Sequence, residues 1–140
     1  MSKPPKITRV LETCFDVDDL ERGRRFYEML FGFPVIASGD RFCAFDVAGK
    51  SVLLLFLRNT SLVAMPTVGG PIPPHGSHGP QHAAFSIEEQ ELAAWRLRLA
   101  DAKIAIESEV KWARGGTSIY FRDPDGNLLE LATPGLWPAY

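Results

Sequence analysis

From Ile7 to Val17 the chain carries β-branched and aromatic residues in partial alternation, the pattern of a half-buried strand. Residues 1–6, rich in proline and lysine, read as a frayed arm before it. Asp18 then stands as a helix N-cap, with Glu21 three residues on as its capping-box partner. Leu20, Phe26, Tyr27, Leu30 and Phe31 recur at helical spacing, and Gly32 follows them. This predicts a helix over about residues 19–31, closed by a left-handed glycine. Two strands are expected next, Arg41 to Val47 and Ser51 to Arg58, across the turn Ala48-Gly49-Lys50.

The pattern then breaks. Residues 59–80 hold the run from Gly69 to Pro80, whose prolines lack donors and whose glycines cost entropy in any regular element. A linker or lid is predicted there, since loops this long in small domains are usually functional or mobile. Beyond it the earlier order returns. Gln81 to Ser86 reads as a strand, and Ser86 with Glu89 as a second capping box. Leu92, Trp95, Leu99 and Ala102 mark the apolar face of a helix over about residues 87–102. Ile104 to Val110 is a further expected strand. Thr117 to Arg122 and Asn127 to Ala132 form a hairpin across Asp123-Pro124-Asp125-Gly126, where proline suits the second turn position and glycine supplies the positive φ.

Strand, helix, strands therefore occurs twice, an internal duplication of pattern with little identity of letters. Module one spans about residues 7–58 and module two about 81–134. Neither half is long enough to bury a sufficient core alone, so the 140 residues are expected to form one domain.

Composition excludes more than it proposes. The 46% hydrophobic and 23% charged residues rule out wholesale disorder. The net charge of −2 leaves no footprint for nucleic acid or an anionic membrane. The longest apolar run, Val52 to Leu57, is far short of a membrane span, and no apolar stretch follows the N-terminus as a signal peptide requires. Cys14 and Cys43 are too few for a disulfide framework, which points to a reduced, cytoplasmic setting.

Three polar residues fall where strands are half buried: Glu12, His82 and Glu130, the last within Leu128-Leu129-Glu130-Leu131. An unpaired buried charge costs several kcal/mol, so each is either solvent-facing or partnered. One imidazole and two carboxylates at the strands of two similar halves make the donor set of a facial metal site with open positions for a ligand.

The sequence resembles the vicinal oxygen chelate superfamily, which holds glyoxalase I, fosfomycin-resistance thiol transferases, extradiol dioxygenases and bleomycin-binding proteins. The resemblance rests on Val17 to Arg22 with Phe26-Tyr27, on Leu30 to Phe33, on Gly79 to Phe85, and above all on Ser118 to Glu130 around Arg122-Asp123-Pro124-Asp125-Gly126-Asn127. It implies an α+β fold of two βαβββ modules curling into a mixed-sheet cleft, completed in a homodimer with shared sites. It matches Glu130 to the C-terminal metal glutamate and His82 to the second-module histidine, while Glu12 stands where many members have a first-strand histidine. Leu53 or Leu55 takes the place of the additional first-module glutamate of glyoxalase I, and Val110 that of a substrate-binding lysine of one fosfomycin branch. The implied cofactor is a divalent ion (Mn²⁺, Mg²⁺, Fe²⁺, Zn²⁺ or Ni²⁺) on Glu12, His82 and Glu130, with Glu12 contributed by a different chain. Tyr120 is the candidate catalytic group. Cys14, Phe42, Phe56, Trp112, Arg114 and Ser118 are candidate substrate contacts, and His75 and His78 lie in the lid. A glyoxalase-like isomerase or lyase is the first expectation. A metal-free, drug-sequestering protein is the alternative, with thiol transfer and ring cleavage as further ones.

Overall fold

The computed structural model describes residues 3–138, so residues 1 and 2 of the expected arm lie outside it. Its elements, in chain order, are β1 (Glu12–Val17), α1 (Leu20–Phe31), β2 (Val35–Ser38), β3 (Phe42–Val47), β4 (Ser51–Leu57), β5 (His82–Ser86), α2 (Leu92–Asp101), β6 (Ser108–Lys111), β7 (Thr117–Arg122) and β8 (Leu128–Ala132). The described strands form two four-stranded mixed sheets, ordered β1-β4-β3-β2 and β5-β8-β7-β6. In each, the module's first strand runs parallel to its last, and the remaining pairs are antiparallel. The duplication seen in the pattern is thus a duplication of topology, two βαβββ modules. No described helix is long and apolar enough to cross a membrane.

One cluster of buried residues draws on both modules: Phe15, Val17, Leu53 and Leu55 from the first sheet, and Ile119, Phe121, Leu129 and Leu131 from the second. Helix α1 lies across both. Its Phe31 ring stacks near Phe33 and reaches Phe85 at 5.1 Å, Trp95 at 5.7 Å and Phe121 at 6.3 Å between centroids. Tyr27, fully buried on the same helix, donates its hydroxyl to Asp123 Oδ2 at 2.8 Å, in the turn between β7 and β8. Arg98 of α2 donates to the carbonyls of Leu30 and Met29, placing a cation at the negative end of α1.

Several boundaries differ from expectation, each for a tertiary reason. β1 begins at Glu12, not Ile7: Ile7, Val10 and Leu11 have strand propensity but no regular pairing, and remain more than half exposed. The N-cap of α1 is Asp19, which accepts from Arg22 N; Asp18 instead accepts from Arg58 Nε at 2.7 Å, and Glu21 pairs with Arg25. Ser86 caps nothing, because it stays in β5 opposite Ala132. A 3₁₀ turn, Glu89–Glu91, intervenes before α2. β2 was not expected; it is a four-residue edge strand with a bulge against β3. β6 is confined to Ser108–Lys111, while Ile104 and Ile106 pack against the core outside any strand. Gly32 (φ +70°) and Gly126 (φ +83°) take the left-handed conformations expected of them.

Candidate metal centre

The registers of the two sheets can be laid over one another, and this locates the site. Glu12 pairs with Val52 at the start of β1, and His82 pairs with Leu128 at the start of β5. Two residues on, Cys14 faces Leu54 and Ala84 faces Glu130. On the third strand Ala44 lies opposite Leu54, and Tyr120 opposite Glu130. Glu12 is therefore the counterpart of His82, Leu54 of Glu130, and Ala44 of Tyr120. Leu53 and Leu55, expected at a ligand position, point the other way and are 2% and 0% exposed in the core. Strand alternation hands that position to Leu54.

In module two the polar groups are brought together. His82 Nδ1 lies 2.9 Å from the carbonyl oxygen of Leu128. A carbonyl only accepts, so Nδ1 carries the proton. Nε2 is then left facing Glu130 Oε2 at 3.2 Å. In a neutral imidazole this puts a lone pair against a carboxylate, an arrangement that asks for a proton or a cation between them. Anchoring one ring nitrogen on a carbonyl and baring the other is also how metal-binding histidines are oriented. These residues therefore fit a divalent ion. The Glu130 side chain is 6% exposed, and its second oxygen accepts a short hydrogen bond from the Ser118 hydroxyl. Ser118 in turn accepts from Trp112 Nε1 at 2.9 Å.

This relay corrects one expected substrate contact, Ser118, and leaves another, Trp112, at a cavity wall. Ser118 is fully buried, and its hydroxyl is committed to Glu130, so it orients the carboxylate rather than meeting a ligand. The Trp112 N–H is likewise used, although its ring lines a cavity of about 350 Å³ with His82, Tyr120, Glu130, Leu136 and Trp137. Leu136 and Trp137 gave no sequence signal. They are delivered by a close backbone crossing, Gly116 N donating to the Gly135 carbonyl, where a Cβ on Gly116 would lie 2.7 Å from Gly135 C. Tyr120 lines the same cavity, its ring centroid 6.3 Å from that of His82. Partial burial, and then the charge of Glu130, hold its phenol above the ordinary tyrosine value despite an opposing hydrogen bond with Ser118. It is a proton-bearing donor at neutral pH.

Glu12 does not join this group within one chain. Among the described residues, no three His, Cys, Asp or Glu side chains gather as a metal cluster. Glu12 lies in a separate cavity of about 380 Å³ on module one, with Cys14, Phe42, Leu54, Phe56 and the lid residues Ser61, Val63, Met65, Ile72, Pro73 and His75. The lid is held over this face by Asp16, which accepts from the Ser77 N–H and hydroxyl, and is tied across itself by His75 N donating to the Ser61 carbonyl. His75 also meets the Phe56 ring edge-on at 4.7 Å. The Cys14 thiol is pushed up by burial, then by the charges of Glu12 and Asp16, so it stays protonated and poorly nucleophilic. Arg114 is exposed in the turn between β6 and β7 and lines neither cavity, and the same holds for His78 in the lid.

Comparison with known proteins gives the family and supports the fold. Metallothiol transferase FosB of Bacillus licheniformis is 30% identical over 129 residues, covering 91% of this chain and 77% of that protein. The catechol-2,3-dioxygenase of Bacillus subtilis is 32% identical over 119 residues, with 82% of this chain matched to 38% of that protein. The crystal structure of lactoylglutathione lyase from Agrobacterium tumefaciens superposes with a TM-score of 0.85 at 32% identity, covering 97% of this chain and 99% of that one. The family model described as the Glyoxalase/Bleomycin resistance protein/Dioxygenase superfamily matches residues 9–131. Twin βαβββ modules, a histidine–glutamate pair on the second sheet and a match over most of its length place this chain in that superfamily.

Proposed function

We propose that the protein is a divalent-metal-dependent enzyme of the glyoxalase type, acting on a small substrate held through two adjacent oxygens. The observation that carries this reading is the His82–Glu130 pair, with one imidazole nitrogen anchored on Leu128 and the other bared toward a nearly buried carboxylate. A pure sequestering cleft has no use for such a pair. A bound divalent ion would supply Lewis-acid polarisation of the substrate oxygens. His82 and Glu130 would hold it, with Glu12 of a second copy completing the set, since the same chain's Glu12 lies in another cavity. The protein would then work as a homodimer with shared sites. Two carboxylates and one imidazole favour the harder ions, Mn²⁺, Mg²⁺ or Fe²⁺, over Zn²⁺ and Ni²⁺. Ser118 keeps Glu130 in one orientation, and Tyr120 donates its phenol proton in a hydrogen bond to a substrate oxygen. Both cysteines are free thiols, in keeping with a cytoplasmic setting.

The relatives' names point to three chemistries: the lyase reaction of a lactoylglutathione lyase, the thiol transfer of a metallothiol transferase and the ring cleavage of a catechol dioxygenase. The first is favoured here because no lysine or arginine lines either cavity among the described residues, leaving a phosphonate with no side-chain cation to supplement the ion. The test is the metal content of purified protein, repeated for His82→Ala and Glu130→Ala, followed by assay of loaded protein with hemithioacetals, fosfomycin plus thiol, and catechols. Stoichiometric metal lost in both variants supports the reading; protein that takes up no metal under any loading condition returns it to sequestration.

A further inference from the structure

The cavity on module one has a composition of its own. Its inner wall is Phe42, Leu54 and Phe56 from the sheet, and its roof is Val63, Met65 and Ile72 from the lid. Where module two presents Glu130 and Tyr120, this face presents Leu54 and Ala44 at the matching register. One polar side chain is set into the wall without a partner: Ser61, 7% exposed, whose Oγ is buried and makes no hydrogen bond. A buried hydroxyl left unsatisfied costs about 1–3 kcal/mol, and a ligand group placed against it would recover that loss. Glu12, the proposed metal ligand, stands in the same cavity.

We infer that this cavity is a binding subsite for the uncharged, apolar body of the substrate, an aryl or branched alkyl group carrying one hydrogen-bonding function for Ser61. It rests on the proposed metal reading only for placing the reacting oxygens at the Glu12 end. About 380 Å³ of space suits a single substituted ring. A phosphonate or carboxylate in this position would face Glu12, and the lining offers no lysine or arginine, only the His75 imidazole held edge-on to Phe56, to receive it.

The probes are 4-isopropylphenol, 4-isopropyltoluene and phenylphosphonate, titrated calorimetrically into the full chain as purified. The phenol is expected to bind saturably and the phosphonate at least tenfold more weakly. Ser61→Ala should weaken the phenol about three- to tenfold and leave 4-isopropyltoluene unchanged, which separates loss of the hydroxyl contact from loss of folding. Leu54→Arg and, on the lid, Met65→Lys should each cut phenol affinity at least tenfold and narrow the preference over phosphonate. The subsite is overturned if the phenol does not bind, if phosphonate binds as tightly, or if phenol binding ignores all three substitutions. A separate arm isolates the metal reading: 4-isopropylcatechol should outbind the phenol only in metal-loaded protein. Equal binding of the two there, with the preference over phosphonate intact, would sink the metal centre and leave the subsite standing.

Discussion

The two sheet faces share one strand order and one register, yet only one of them carries a histidine set against a buried carboxylate. On module two, Glu130 is buried, hydrogen-bonded by Ser118 and set against His82. On module one the counterpart of Glu130 is Leu54, and Glu12 lines the cavity beside it. The same scaffold thus hosts a costly buried carboxylate on one side and a plain apolar wall on the other. A duplicated fold does not need two complete sites. One half can supply the chemistry and the other the shape that selects what reaches it.

The contrast breaks most sharply if module two is given module one's residue. Glu130→Leu should lower metal affinity at least 100-fold. It should leave thermal stability unchanged or raise it by about 1 kcal/mol, because a buried charge is often less stabilising than a packed side chain of similar size. Chelator competition and thermal unfolding read the two effects separately. Marked destabilisation would mean that Glu130 holds the fold rather than an ion.

Ser118→Ala comes next. It leaves one Glu130 oxygen and the Trp112 N–H without their partner, and should weaken metal binding about 10- to 100-fold, the usual range for groups that orient a ligand. Ser118→Thr, which keeps the hydroxyl, should recover much of that loss. A Ser118→Ala protein with full metal affinity would remove the relay from the account.

Glu12→Gln probes the other face. Its shape is kept, so folding stability should hold, while metal affinity falls about tenfold if the carboxylate reaches the ion. Unchanged affinity would reduce Glu12 to the mouth of the apolar cavity.

The smallest effect at neutral pH concerns the contact that binds the modules. Burial, and then the charge of Asp123, hold the Tyr27 phenol well above its ordinary value of about 10. A folded-state value above the unfolded one gives stability that is complete below about pH 10 and is lost as pH rises beyond it, at about 1.4 kcal/mol per unit. Denaturant midpoints should therefore be level through neutrality and fall above pH 10, and Tyr27→Phe should flatten that alkaline limb. An unchanged slope in the variant would assign the alkaline loss to other groups.

Local chemistry made much of this legible in the chain. Helix α1 announced itself through apolar spacing and Gly32, the β7–β8 turn through Asp123-Pro124-Asp125-Gly126, and the duplication through repetition of the pattern. Glu130 stands out because a charge between strand leucines needs a partner, and His82 because it opens the first strand of the second module. What escaped depends on distance. The strand propensity of Ile7 to Leu11 is spent on no regular neighbour, and β2 is too short and exposed to leave a signal. The choice between Leu54 and its neighbours turns on which face of β4 meets the core, a fact of register. That Ser118 serves Glu130 rather than a ligand, and that Ser61 is buried without a partner, are facts of packing across 12 residues and across a lid.

The central claim is that the ion needs residues from two chains. It is tested by refolding Glu12→Ala chains together with chains carrying both His82→Ala and Glu130→Ala, then measuring tightly held metal after dialysis against a weak chelator. Each variant alone should hold little. Random pairing makes half the dimers mixed, each with one intact shared site, so the mixture should hold about one ion per four chains. Metal no higher than the average of the two separate preparations would contradict a shared centre and detach Glu12 from His82 and Glu130.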